Sequence, residues 1–328
     1  MLLKTFRSNS AINFIIVPII GILLWANSLY QQTSYEFYQG ETQAPLFKPF
    51  EMLLNWSELA SQLVALGLLV VCAFLMMRLN ARFSFIRIRT FLPTVIFLII
   101  TSGMPMLHHL LPVHFASLFL ILSLSNIFAA FHDQTRVEYG FNAGLCLSLG
   151  ALFYQSTIGF LPFIWIGLFT VRKNPQWRDF VAPILGALIP LIFTFSWAYL
   201  NDSTHELLES INQNFITHQQ HIRGNLSLQI YMGYLIFLLI VGSAFMILRN
   251  FDEKKISSRK YFTVLFWMFV NSLLLIIAIP AASIEMFMLM AIPLGYLIAN
   301  YFVFTRQRFW SGVLFYTLIA LVIYMQFV

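Results

Sequence analysis

The chain has 328 residues, 59% of them hydrophobic and only 10% charged, with a mean hydropathy of +0.80. A soluble domain carries about a quarter charged residues, so this chain cannot cover a surface that faces water. Its net charge of +6 raises a nucleic-acid partner, but the placement of the cations below explains the charge without one, and none is expected.

Apolar runs recur from Ala11 to the C-terminus. Backbone polar groups in lipid must be satisfied within a helix or a closed barrel. These runs are continuously apolar rather than alternating, which excludes the barrel. The fold class is an all-α integral membrane protein, with residues 1–328 as one polytopic membrane domain. The first segment, 11–30, follows Lys4 and Arg7. It is too long for a signal-peptide core and lacks a small-residue cleavage site, so it reads as the first transmembrane helix. A long connection, 31–58, carries Glu36, Glu41, Lys48, Glu51 and Glu58. Within it Phe47, Phe50, Leu53 and Leu54 predict a short amphipathic helix. Segments 59–77, 91–106 and 114–131 come next, each apolar throughout.

Segments 141–154 and 158–171 are shorter, about 21 Å each at the rise of a helix, against a hydrocarbon core of about 30 Å. Tyr154-Gln155-Ser156-Thr157, then Gly159 and Pro162, form a polar turn between them. They are two short crossings or a re-entrant hairpin buried in protein. Gly144 and Ser148 give a small face for close helix packing. After segment 180–199, the connection 200–227 opens with Ser203 and Glu206 spaced as a capping box. Leu207, Leu208, Ile211, Phe215 and Ile222 then recur at helical spacing, predicting an amphipathic helix on the membrane surface. Segments 228–248, 261–279, 286–304 and 310–326 complete about eleven transmembrane or re-entrant helices. Cys72 and Cys146 both fall inside apolar segments and read as small core residues.

With the N-terminus in the cytoplasm, all of the 19 Lys and Arg residues except Lys48 and Arg223 fall on the cytoplasmic side. Cations near helix ends are retained there, so this orientation is the expected one, with the C-terminus on the opposite side. Most of the 13 acids and all but one of the 7 histidines then lie on the outer face.

Several chemistries are missing: there is no phosphate-binding glycine loop, no H-E-x-x-H and no paired C-x-x-C. No charged residue falls at the middle of a predicted helix, which weighs against proton pumps and ion-coupled transporters. A transporter would have to bind its substrate through Asn142, Gln155 or Asn271. Among the outer groups, Glu36 in Ser34-Tyr35-Glu36-Phe37-Tyr38 is a candidate general base whose aromatic neighbours would raise its pKa. Glu41 and Glu58 are its alternates, and the ordinary reading of each is an exposed loop acid. Arg223 offers a bidentate match to a phosphate or pyrophosphate, or else anchors its segment at the interface. His218 and His221, at i and i+3, are candidates for phosphate contact, as are His108 and His109 across a cavity mouth. Two histidines without a third ligand are a poor metal site, so no cofactor is expected and a divalent metal is not indicated.

Ser10-Ala11-Ile12-Asn13-Phe14, the run Ala116 to Leu124, Phe141-Asn142-Ala143-Gly144 and Leu149-Gly150-Ala151-Leu152-Phe153-Tyr154 resemble an uncharacterised family of polytopic inner-membrane proteins of Bacteroidota. The same pattern is distantly similar to the middle of GT-C-type glycosyltransferases. That resemblance implies a GT-C-like helix arrangement in a bacterial inner membrane and a polyprenyl-phosphate-linked sugar donor at the periplasmic face. It implies a catalytic acid in the first outer loop, which falls on Glu36 or Glu41; the adjacent Asp-Glu pair of the GT-C pattern is absent here. Three functions follow as expectations. The first is a GT-C-like transferase or an inactive relative. The second is a non-catalytic subunit of an envelope complex with a membrane or periplasmic protein partner. The third is a lipid or small-molecule transporter. Membrane lipids are partners in all three.

Overall fold

The structure, a computed structural model, describes residues 6–7, 10–31, 44–50, 57–86, 90–133, 135–216, 226–245, 255–279, 285–305 and 308–327. Among them are twelve α-helices and no strand. In chain order α1 is Asn13–Gln31, α2 Glu58–Phe83, α3 Leu92–Ser102, α4 Pro112–Ala129, α5 Glu138–Phe153 and α6 Leu161–Val171. They are followed by α7 Trp177–Leu200, α8 Thr204–Ile216, α9 Leu226–Phe245, α10 Ile256–Ala278, α11 Met286–Phe304 and α12 Arg308–Met325. Each of the eleven predicted apolar segments overlaps one helix, and α8 is the predicted amphipathic one. Six helices (α1, α2, α4, α7, α10 and α11) are long and apolar enough to cross a membrane. The chain is thus a multi-pass membrane protein by its helices.

A helix that is apolar all round is seated either in lipid or in the protein core, and two helices take the second place. Every residue of α3 is buried, and so is α11 from Met286 to Val303. They pack on each other at the centre, with α2, α4, α9 and α10 around them. Successive helices reverse direction, which gives the bundle two ends, named here for His108 and Arg172. Phe14 stacks edge-on against Phe91 at the Arg172 end, whereas Trp25 reaches Ser102 at the His108 end. Among the described residues Lys48 is the only Lys or Arg placed at the His108 end; the others from Arg7 to Arg308 belong to the opposite half.

Helices α5 and α6 run alongside α4 rather than turning back halfway. Gly150 of α5 meets Ala116 and Phe119 near one end of α4, and Gly167 of α6 meets Ile127 near the other. A 3-10 turn, Gln155–Phe160, lengthens the second arm. The small face on α5 is used against α7. A Cβ on Gly144 would stand 2.0 Å from the Pro183 carbonyl oxygen, and one on Gly186 the same distance from that of Phe141. Backbones in contact replace side-chain interdigitation here, the packing that small residues permit between membrane helices. Ser148 is buried one turn beyond, with its hydroxyl donating to Leu145.

The expected capping box does not form as drawn. The Ser203 hydroxyl instead donates back to the Ala198 carbonyl of α7, and the carbonyl of Ser203 starts α8 by accepting from Leu207. The short helix expected in the first long connection is a 3-10 turn, Lys48–Phe50. It is held by Phe47 and Phe50 against Phe115 of α4 and Phe153 of α5; residues 51–56, with Leu53 and Leu54, lie outside the described residues. Cys72 is fully buried in α2, its thiol 3.3 Å from the Ser117 hydroxyl, and Cys146 is half-buried in α5.

Candidate functional site

The His108 end carries two features, a sealed polar cluster and an open cleft. The cluster begins with Trp25 and Ser28, one turn apart on α1 and so on one face. Helix α3 ends at Gly103, a position where a Cβ would overlap the Tyr231 ring. Tyr231 uses that space to donate to the Ile100 carbonyl, 2.6 Å away. The chain then turns through Pro105–His108 and brings His108 back under the end of α3. The His108 ring stacks on Trp25 with centroids 4.2 Å apart. Its Nε2 lies 3.2 Å from the Ser102 carbonyl oxygen and its Nδ1 2.6 Å from the Ser28 hydroxyl. A carbonyl can only accept, so Nε2 carries the proton, and Nδ1 accepts from Ser28. Trp25 donates to the Ser102 hydroxyl at 3.0 Å, and the amide of Gln326, past the end of α12, donates to the Ser102 carbonyl.

Ser28 and His108 thus have the spacing of a hydroxyl and its general base. Access is what they lack: Ser28 is 7% exposed and His108 not at all. Burial pushes the His108 imidazole down to about 3, and the neighbouring His109 and His114 lower it further against the Ser102 carbonyl. It is therefore a neutral ring that joins α1 to the end of α3, where Gln326 also meets the Ser102 carbonyl. His109 is 6% exposed and is lowered by the same burial. Glu285, at the start of α11, is also buried.

The cleft lies between α7 and α8, at the ends of α5 and the Gln155–Phe160 turn, with Pro45 of the first long connection on its rim. Its volume is about 210 Å³ and its walls are almost wholly apolar. Leu207 and Ile211 turn the apolar face of α8 into it, while Leu208 points away and is 57% exposed. Both long connections are tied to its rim. Leu46 N–H donates to the Leu152 carbonyl at 3.2 Å, and the Gln155 amide donates to the Ser210 hydroxyl at 3.3 Å. Lys48 and Glu206 approach to 3.8 Å across the top, an exposed pair that contributes little.

Of the residues singled out from sequence, Glu36, Glu41, His218, His221 and Arg223 lie outside the described residues. His108 and His109 are in the sealed cluster. Asn142 is on α5, and Asn271 is spent on the Gly159 carbonyl at 3.2 Å. Among the described residues no three His, Cys, Asp or Glu side chains gather as a metal site. Sequence reasoning missed Trp25, Ser28, Ser102 and Gln326, for which the one signal was the Trp25–Ser28 spacing. It also missed the cleft, whose walls come from five separate segments.

At the Arg172 end a buried ion pair closes the turn between α6 and α7. Arg172 Nη1 is 2.8 Å from Asp179 Oδ1, and the other Asp179 oxygen accepts from the Gln176 N–H at 2.9 Å, capping α7. Arg172 also donates to the Arg136 carbonyl, and Lys260 to that of Val171. Three segments, the α4–α5 connection, the α6–α7 turn and the start of α10, are pinned at one point.

Residues 50–328 match the model of a family described as "Family of unknown function (DUF6427)", and the chain belongs to that family. No curated protein and no solved structure matches it.

Proposed function

For this member of a family of unknown function, we propose a GT-C-like membrane glycosyltransferase, or an inactive relative of one, that handles a polyprenyl-phosphate-linked sugar at the periplasmic face of a bacterial inner membrane. In this reading about eleven helices cross or re-enter the membrane, the Arg172 end faces the cytoplasm, and the His108 end faces the periplasm. What carries it is the meeting of the two long connections at the cleft, at the end of the bundle poorest in cations. A lipid-linked donor needs an apolar seat open to the membrane beside polar chain that can hold a pyrophosphate or activate an acceptor. Glu41, the base in this reading together with Glu36, precedes the buried Ala44 by three residues, a chain reach of about 10 Å. Arg223 would supply the cation for the phosphate.

The test replaces Glu36, Glu41 and Arg223 singly, as Glu36→Gln, Glu41→Gln and Arg223→Ala, and measures lipid-linked and surface glycan. Loss of glycan at normal protein level in one or more variants is the expected result. Normal glycan from all three removes the enzyme. The non-catalytic alternative has its own support in α12, where Gly312, Val313, Tyr316 and Thr317 line a shallow open groove. That reading predicts normal glycan together with co-purification of a second membrane protein.

A further inference from the structure

Helices α6 and α10 run antiparallel in close contact. A Cβ on Gly167 would stand 3.6 Å from Val264, and one turn further on Lys260 Nζ donates to the Val171 carbonyl at 3.0 Å. In an antiparallel pair, the residues just before such contact positions fall on one side of the seam, and those just after them on the other. The second side is the core: Leu168, Tyr261 and Leu265 are at most 1% exposed. The first side is a crease that faces outward, where Ile166, Thr170 and Thr263 are half-buried and Trp267 is 41% exposed. Because α10 is long and apolar enough to cross a membrane, this side meets lipid. The Thr170 hydroxyl donates to the Ile166 carbonyl at 2.7 Å, and that of Thr263 to the Arg259 carbonyl at 3.0 Å. Both protons stay within their own helices, so the crease suits a hydrocarbon chain.

Three cations head this crease. Arg259 lies on its outward side one turn before Thr263, with Lys260 beside it. Lys173 directly follows the Arg172 carbonyl that Lys260 Nζ approaches at 3.5 Å. These carbonyl contacts hold the Lys260 ammonium in place without neutralising it. The acids described at this end are engaged or placed elsewhere. Asp133 pairs with Arg136 at 2.9 Å and Asp179 with Arg172. Glu138 begins α5, which meets α6 at Leu168 on the core side. Among the described residues the head of the crease therefore carries surplus positive charge, within about a turn of the ends of α6 and α10. Retention of Lys and Arg on one side of a membrane accounts for cations at this end, but not for their convergence on one lipid-facing crease.

We infer that this crease binds one glycerol-headed phospholipid of net negative charge, its phosphate at Arg259, Lys260 and Lys173 and an acyl chain between α6 and α10. A zwitterionic phospholipid also brings a phosphate, but with it an ammonium that the surplus cations repel. The inference needs the membrane placement of α10 and not the transferase, so the two fail separately.

The full chain in detergent micelles is incubated with dioleoyl phosphatidylglycerol or dioleoyl phosphatidylethanolamine at matched concentration, and retained lipid is read by native mass spectrometry. Retention of the glycerol lipid roughly tenfold above the ethanolamine lipid is expected. Lys173→Gln with Arg259→Gln spares the Lys260 contact that closes α6 and should remove most of that preference. Arg78→Gln with Arg82→Gln takes the same charge from α2 at the same end of the bundle, and should leave the preference intact. Thr170→Trp fills the crease and should lower retention of both lipids, while the thermal unfolding temperature stays near that of the parent. Excess inorganic phosphate should not displace the glycerol lipid. Equal retention of the two lipids by the parent overturns the inference, as does a preference that survives the loss of Lys173 and Arg259. So does a preference lost equally with Arg78 and Arg82, which would make its cause diffuse charge, or full displacement by phosphate, which would leave the crease no part in binding.

Discussion

At the scale of single residues, the strongest commitments are polar groups in places without water. His108 is the clearest. Its folded-state pKa of about 3 lies well below the ordinary 6.5, so between these values the unfolded chain takes up a proton that the folded chain refuses. Stability therefore falls as pH drops below about 6.5, and His109, lowered for the same reason, adds to the slope. Thermal unfolding in detergent at pH 7.5 and 5.5 should show this fall, and His108→Asn should make it smaller; an unchanged difference would count against a neutral buried ring. Ser28→Ala leaves Nδ1 without its donor and should cost about 1–3 kcal/mol. A larger loss is expected at the opposite end. Asp179→Ala strands the Arg172 charge at a site where the pair is 3% and 2% exposed, and breaking a buried pair from one side costs about 3–5 kcal/mol. Nothing local in the sequence says that Arg172, seven residues before Asp179, folds back onto it. The Ser28–His108 contact spans 80 positions and had no sequence signal at all.

At the scale of elements, apolar length was a sufficient guide to where helices lie, since a helix in lipid satisfies its own backbone. It did not tell which helices are central. Helices α3 and α11 are as apolar as their neighbours, and only their burial on every side separates them. The turn at Gln155 was legible from its polar residues, yet the path of α5 and α6 along the whole of α4 depends on glycines whose partners are distant in sequence. Gly144 makes this testable. Its neighbour is the backbone of α7, which cannot rotate aside as a side chain can, so Gly144→Leu must separate α5 from α7. A drop of several degrees or more in thermal unfolding temperature is expected, accompanied by aggregation in detergent. Gly67 of α2 has nothing within 4 Å of an added Cβ, so Gly67→Ala should be close to neutral. If both substitutions were equally mild, the contact between α5 and α7 would be looser than the distances require.

At the scale of the whole molecule, one asymmetry organises everything proposed about function: cations gather at the Arg172 end, and the cleft opens at the other. The same asymmetry was legible in the sequence, because Lys and Arg near helix ends follow the side of synthesis; the cleft was not, because it exists only once α7, α8 and Pro45 are brought together. Sidedness is then a single measurable property on which the transferase depends. In a background lacking Cys72 and Cys146, cysteines introduced as Lys48→Cys, Glu206→Cys and Lys255→Cys can be challenged with a membrane-impermeant maleimide on intact spheroplasts. Lys48 and Glu206 are 67% and 74% exposed at the side chain, so neither should be shielded by protein. The first two should label directly, and the third only after permeabilisation. The reverse pattern would put the cleft and both long connections in the cytoplasm, out of reach of any periplasmic acceptor.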